Sequence, residues 1–241
     1  MPSSVRSIFA AAELEPDGSV SWGEPIPAPE SGPTTGVYAI AVTADVGARD
    51  NPHPICPRSE NALNALLTAR PELRLDGERP DPESLADRLA AFWLRDAPVL
   101  YIGLAGPRRS AARPEELSDR VAEYYATPLG ARSPHAGGWP LKALSILDDL
   151  VVHYAYSSDV AGAERAMLKA FAAAVSPTAA TDIHDPDHVM PFANLEHPPG
   201  VRKGHGISGA TEPRRRKRSR GDGTGSRVAR LEVGPAHQRA A

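Results

Sequence analysis

The run GVYAIAV at residues 36–42 is almost continuously apolar, the pattern of a short buried strand, and VLYIGLA at 99–105 repeats it. A third strand is predicted over LVVHYAYS at 150–157, where apolar positions alternate. Between the first two strands the period changes to that of helices. Ser59 stands as an N-cap ahead of Leu63, Leu66 and Leu67, and Asp81-Pro82 supplies a cap and a first-turn proline ahead of Leu85, Leu89, Phe92 and Trp93. A third helix is predicted over PEELSDRVAEYY from Pro114, with Leu117, Val121 and Tyr124 on its inner stripe. A fourth is predicted over AGAERAMLKAFAAAV, stopped by Ser176-Pro177. The segment LKALSILDDL reads as a short helix or turn.

The remaining stretches read as connections. Residues 1–35, rich in Pro, Glu, Ser and Gly, are expected to form an extended N-terminal arm, with SVRSIFAAAEL as a possible short strand or helical turn. Residues 44–58 carry the proline and Asp-Asn-Pro chemistry of a loop. The basic, low-complexity segment 211–241 reads as a disordered tail. These boundaries leave one domain over 36–210, with 44–97 as a helical insertion between its first two strands.

Composition changes the picture in two ways. A single cysteine, Cys56, excludes an internal disulfide and a four-cysteine zinc site, and no apolar run approaches the roughly 20 residues of a membrane span. With no signal-peptide pattern at the N-terminus, a cytoplasmic setting without membrane association is expected. The net charge of −3 conceals an asymmetry: from Thr211 onward nine basic and three acidic side chains give +6, leaving −9 on residues 1–210. An acidic body argues against simple electrostatic binding of nucleic acid, whereas Arg214, Arg215, Arg216 and Lys217 in the tail suit a phosphate backbone. A solubilising role for the tail fits the composition equally.

Candidate chemistry begins at Glu164. Its helical stripe continues through Leu168, Phe171 and Val175, so a carboxylate occupies a slot that the pattern gives to the core. Buried and unpaired, it would cost several kcal/mol, on the order expected for a desolvated charge, and a cation or metal partner would resolve this. The alternative is an acid in the first helical turn that leans into water. Arg120 lies about 40° from Tyr124 on the helical wheel, bordering the apolar face. Tyr38 and Tyr101 each sit inside an apolar run, where core packing with the hydroxyl at an edge is one reading. The run His184, Asp185, Asp187, His188 has metal-ligand types but no helical ligand spacing.

Taken in order, GVY at 36–38, YIG at 101–103, Arg120 in LSDRVAEYY, Glu164 in AERAMLKAF and Asn194 in PFAN resemble the five motifs of the GIY-YIG nuclease superfamily. The resemblance covers roughly residues 34–208. It implies an α/β (α+β) fold, a small three-stranded antiparallel sheet flanked by helices, and hydrolysis of DNA phosphodiester bonds with one divalent metal, Mg²⁺ or Mn²⁺. By the same resemblance Tyr38 would be the base or proton relay, Tyr101 would position the water or phosphate, and Arg120 would face the phosphate. Glu164 would hold the metal, and Asn194 would brace the metal side or a phosphate oxygen.

Gly103 would mark the point where the backbone turns away and leaves room for the phosphate; Lys203 and His205 in RKGHG suit contact with that phosphate or, equally, a surface turn. A free phenol held ionised at neutral pH costs about 4 kcal/mol, so a phenolate Tyr38 would need Arg120 or the metal beside it. The chain departs from the family pattern in two places. It has 62 residues between the two tyrosines, where the family has a tight hairpin, and Leu104 after YIG, where some members have a lysine that Lys142 or Lys203 would have to replace. The competing expectation is a catalytically inactive module on the same fold that binds nucleic acid or protein. Cleavage of both strands would require a dimer or two binding events.

Overall fold

The computed structural model describes residues 3–107, 114–131, 138–197 and 200–211. It is a mixed α/β fold built on a four-stranded antiparallel sheet. The chain opens with α1 (Val5–Ala10) and β1 (Gly18–Ser21) before the first predicted strand, β2 (Gly36–Ala41). It continues through α2 (Glu60–Ala69), β3 (Arg74–Leu75), α3 (Pro82–Ala90), β4 (Val99–Ala105) and α4 (Leu117–Ala126). Two 3₁₀ turns, Trp139–Ala143 and Leu147–Asp149, lead into β5 (Val151–Tyr156), α5 (Val160–Ala174) and α6 (Pro177–Asp182). Three two-residue strands close the described chain: β6 (Glu196–His197), β7 (Val201–Arg202) and β8 (Ile207–Ser208).

In the main sheet the order is β1-β5-β2-β4, with every neighbouring pair antiparallel. The expected three strands are its core, and β1 is added as a fourth at the β5 edge. The region expected to be an extended arm therefore contributes both a helix and a strand. The reason is tertiary: Gly18-Ser-Val-Ser is too short to announce itself, and pairing with β5 supplies its hydrogen bonds.

The central strand β2 is buried at every position and sends alternate side chains to opposite faces. Val37, Ala39 and Ala41 pack with Val5, Ile8 and Phe9 of α1 and with Met167, Leu168 and Phe171 of α5. Tyr38 and Ile40 share the other core with Tyr101, with Leu63 and Leu66 of α2, Leu85 and Leu89 of α3, and Val121 and Tyr124 of α4. The insertion is thus one wall of the core beneath the tyrosines. The cap chemistry is as the sequence indicates: Ser59 accepts from the Ala62 N–H and Asp81 from the Ser84 N–H.

Four expectations differ in detail. α3 ends at Ala90, and Phe92 and Trp93 are buried in the turn that follows it. α4 starts at Leu117, not at Pro114, because the Leu117 N–H donates to the Thr34 carbonyl just before β2. Ser176-Pro177 ends α5 but also starts α6, with Ser176 as N-cap and Pro177 at the first position. Finally, β4 runs straight through Gly103 to Ala105, so the glycine does not mark a turn.

Candidate active site

Register brings the two tyrosines together across 62 residues. Tyr38 lies opposite Gly103 and Ile40 opposite Tyr101, which puts both rings on one face of the β2–β4 ladder, 5.9 Å apart between centroids. Gly103 is what permits this. A Cβ there would lie 2.7 Å from Tyr38 Cζ and 2.8 Å from Tyr101 Cε1, so the missing side chain makes room for tyrosines rather than for a turn. A third ring joins them, Tyr124 of α4, 5.5 Å from Tyr101. Its hydroxyl donates to the Gly138 carbonyl at 2.6 Å. Only its place four residues after Arg120 hinted at this role.

Arg120 projects from the same helix. Its Nη1 is 3.8 Å from Glu115 Oε2, and its Nε is buried without a hydrogen-bond partner among the described residues. The guanidinium opposes the upward pKa shift of Tyr38, Tyr101, Tyr124 and Glu164 alike, so one cation serves the whole cluster. Burial dominates all four shifts. It holds the Tyr38 phenol well above its ordinary value, with the neighbouring Tyr101 adding to the effect. It raises Tyr101 as well, and pushes Glu164 up to about 7 against the pull of Arg120. Tyr38 is fully buried, and its hydroxyl has no hydrogen bond of good geometry among the described residues, although Tyr101 is near enough to perturb it.

Tyr101, Glu164, Asn194, Lys203 and His205 line a single open cleft of about 500 Å³, together with Gly138, Leu195, Glu196, Arg202 and Thr211. Five of the residues singled out from sequence therefore converge there, with Tyr38 packed against Tyr101 and Arg120 within electrostatic reach. The basic residues Arg214, Arg215, Arg216 and Lys217 lie outside the described residues.

Two of the five have roles that sequence did not reveal. Asn194 is turned inward: its Oδ1 accepts from the Ile102 N–H at 2.9 Å and its Nδ2 donates to the Ile102 carbonyl at 2.8 Å. It thereby completes the open edge of β4 and braces the strand that carries Tyr101, so its amide is not turned toward a metal or phosphate. Lys203 is buried and donates to the Pro191 and Phe192 carbonyls at 2.8 and 2.9 Å, and desolvation lowers its pKa to about 7. It ties the segment containing Asn194 in place instead of presenting charge to solvent. Lys142 is similarly engaged, donating to the Tyr124 and Thr127 carbonyls at the C-terminus of α4, so neither lysine substitutes for the one that Leu104 replaces.

No group of three or more His, Cys, Asp or Glu side chains converges as a metal cage among the described residues. In the His184–His188 run, Asp185 pairs with His188 at 2.9 Å and accepts from the Gly204 N–H, while His184 packs edge-on against Phe92. A hard divalent cation that keeps waters and takes substrate oxygens needs only one or two carboxylates. Glu164 fits that requirement: it is half-buried, lines the cleft, and has a desolvated carboxylate that a dication would relieve. Compared with models of known protein families, with curated proteins and with solved structures, the chain matches none.

Proposed function

We propose that the protein is a metal-dependent endonuclease of the GIY-YIG type that hydrolyses DNA phosphodiester bonds in the cytoplasm. The observation that carries this reading is the convergence of Tyr101 and Glu164, from separate elements, on one cleft, with Tyr38 packed against Tyr101 and Arg120 within electrostatic reach of both. Each side chain then has a task set by its surroundings. Arg120, whose Nε has no hydrogen-bond partner among the described residues, supplies positive charge and donors toward the phosphate oxygens as negative charge builds on them. Tyr101 lines the cleft and orients the attacking water, while Tyr38, sealed behind it with a strongly raised pKa, acts through Tyr101 as a relay rather than as a free phenolate. Asn194 keeps β4, and hence Tyr101, in register. Mg²⁺ or Mn²⁺ held by Glu164 would supply Lewis-acid stabilisation of the phosphate.

The runner-up is a module of the same fold that binds nucleic acid or protein without cutting. It is favoured by the burial of Tyr38 and by the nearness of Glu115 to Arg120. Nicking of supercoiled plasmid with Mg²⁺ decides between them. The wild type is expected to nick, and Glu164→Ala and Arg120→Ala are each expected to slow it about 100-fold or more. A wild type that binds the plasmid yet leaves it intact at every salt concentration would leave the binding module.

A further inference from the structure

The insertion and the C-terminal segment meet at one wall of the cleft. β3 pairs with β8, aligning Leu75 with Ile207, and the Asp76 N–H donates to the Gly206 carbonyl at 2.9 Å. Arg88 of α3 pairs with Asp76 at 2.6 Å and donates to the His205 carbonyl at 3.0 Å. Gly206, at φ +67°, has no room for a side chain between Asp76 and Arg88. The carbonyls of His205 and Gly206 are therefore both held by the insertion, while the His205 N–H donates to the Lys203 carbonyl at 2.9 Å.

Its ring is fixed as well. The Ile207 N–H donates to His205 Nδ1 at 2.9 Å, so Nδ1 carries the lone pair and the proton of the neutral ring sits on Nε2. Protonating Nδ1 would set one N–H against another. Burial and the neighbouring Lys203, Arg88 and Arg202 also lower the imidazole pKa, in agreement with that geometry. Nε2 makes no hydrogen bond among the described residues, and His205 lines the cleft with Glu164 and Tyr101. What results is a preorganised neutral N–H donor beside two basic side chains, Arg88 and Arg202, which themselves face Asp76 and Glu196.

We infer that His205 Nε2–H is a phosphate-oxygen donor forming a subsite of the cleft, and that Asp76 and Arg88 of the insertion are the positioning residues that hold it. This rests on the nuclease reading for the identity of the phosphate as DNA, but not for the presence of the subsite. The insertion is thereby a support for substrate binding in addition to a wall of the core.

The test uses the full chain in a chelator, so that cleavage is silent. Long-range ¹⁵N spectra of the His205 ring should report the Nε2–H tautomer. Adding inorganic phosphate, and separately a fluorescein-labelled DNA duplex, should shift Nε2. His205→Ala should weaken duplex binding about 10- to 100-fold, the range for a hydrogen bond to a charged group, whereas His205→Gln, which keeps a donor near the Nε2 position, should recover most of it. Arg88→Ala should weaken binding and collapse the tautomer preference together, a spectroscopic change that mere loss of stability does not produce. An Nδ1–H tautomer, an unshifted Nε2, or wild-type duplex affinity in a folded His205→Ala overturns the subsite. Nicking by the wild type together with an inert His205 sinks this inference alone, and phosphate binding through His205 without nicking sinks the nuclease reading alone.

Discussion

Glu164 shows how one residue links stability to activity. Its folded pKa of about 7 lies above the ordinary carboxylate value, so the stability it contributes is complete below the unfolded pKa and is lost as pH rises through the folded one. Glutamine cannot ionise and escapes that loss. Without metal, Glu164→Gln is therefore expected to exceed the wild type at pH ~8 by on the order of 2–3 kcal/mol and to gain little at pH ~5, as read from urea melts. Activity should follow the opposite demand. A metal ligand must be ionised, so at subsaturating metal cleavage should rise about tenfold per pH unit below pH ~7 and level off above it, and the break should move to lower pH as metal is added. A metal-free melt in which Glu164→Gln gives no gain at high pH would mean that the carboxylate is not desolvated.

At the scale of elements, the edge of β4 is the exposed point of the design. A sheet edge leaves backbone groups open, and here the Ala193 N–H bonds the Leu100 carbonyl while the Asn194 amide takes both groups of Ile102. The pairing needs one acceptor and one donor. Asn194→Asp keeps the acceptor but turns an oxygen on the Ile102 carbonyl, so it should destabilise as much as Asn194→Ala, about 2 kcal/mol or more, and speed hydrogen exchange of the Ile102 amide. A metal-ligand role for Asn194 predicts the reverse: Asp would preserve or strengthen metal binding and leave the strand untouched.

This element also marks where sequence stopped being informative. The strand limits of β4 and the Ser59 and Asp81 caps were legible because each depends on local periodicity or turn chemistry, whereas the pairing of Tyr38 with Tyr101 across 62 residues was expected only from the family resemblance. The partner of Asn194 lies 92 residues away and leaves no local trace. Lys203 looked like surface charge because nothing in RKGHG shows that two backbone carbonyls and the Phe92 ring await it. The N-cap role of Ser176 in α6 was readable from Ser176-Pro177, but proline signals a helix start as well as a stop.

On the scale of the whole molecule, charge opposes the proposed function. The body carries −9 and the tail +6, so a DNA duplex approaching the cleft is repelled by the body unless the tail intervenes. Within the cleft itself Arg202 faces Glu196, and behind it Arg120 has Glu115 and Glu164 nearby, so the described surface offers little uncompensated positive charge there. Affinity for the phosphate backbone must then come mainly from residues beyond Thr211, and the cleft supplies alignment. Each phosphate neutralised on duplex DNA contributes about 0.9 to the slope of log affinity against log salt. If Arg214, Arg215, Arg216 and Lys217 each contact one, deleting residues 212–241 should reduce that slope by about 3 to 4 and weaken binding most at low salt. Nicking at saturating DNA should persist in the truncated chain, because Tyr101, Glu164 and Arg120 remain. An unchanged slope would assign the tail a role away from DNA and return the phosphate contacts to the cleft wall around His205.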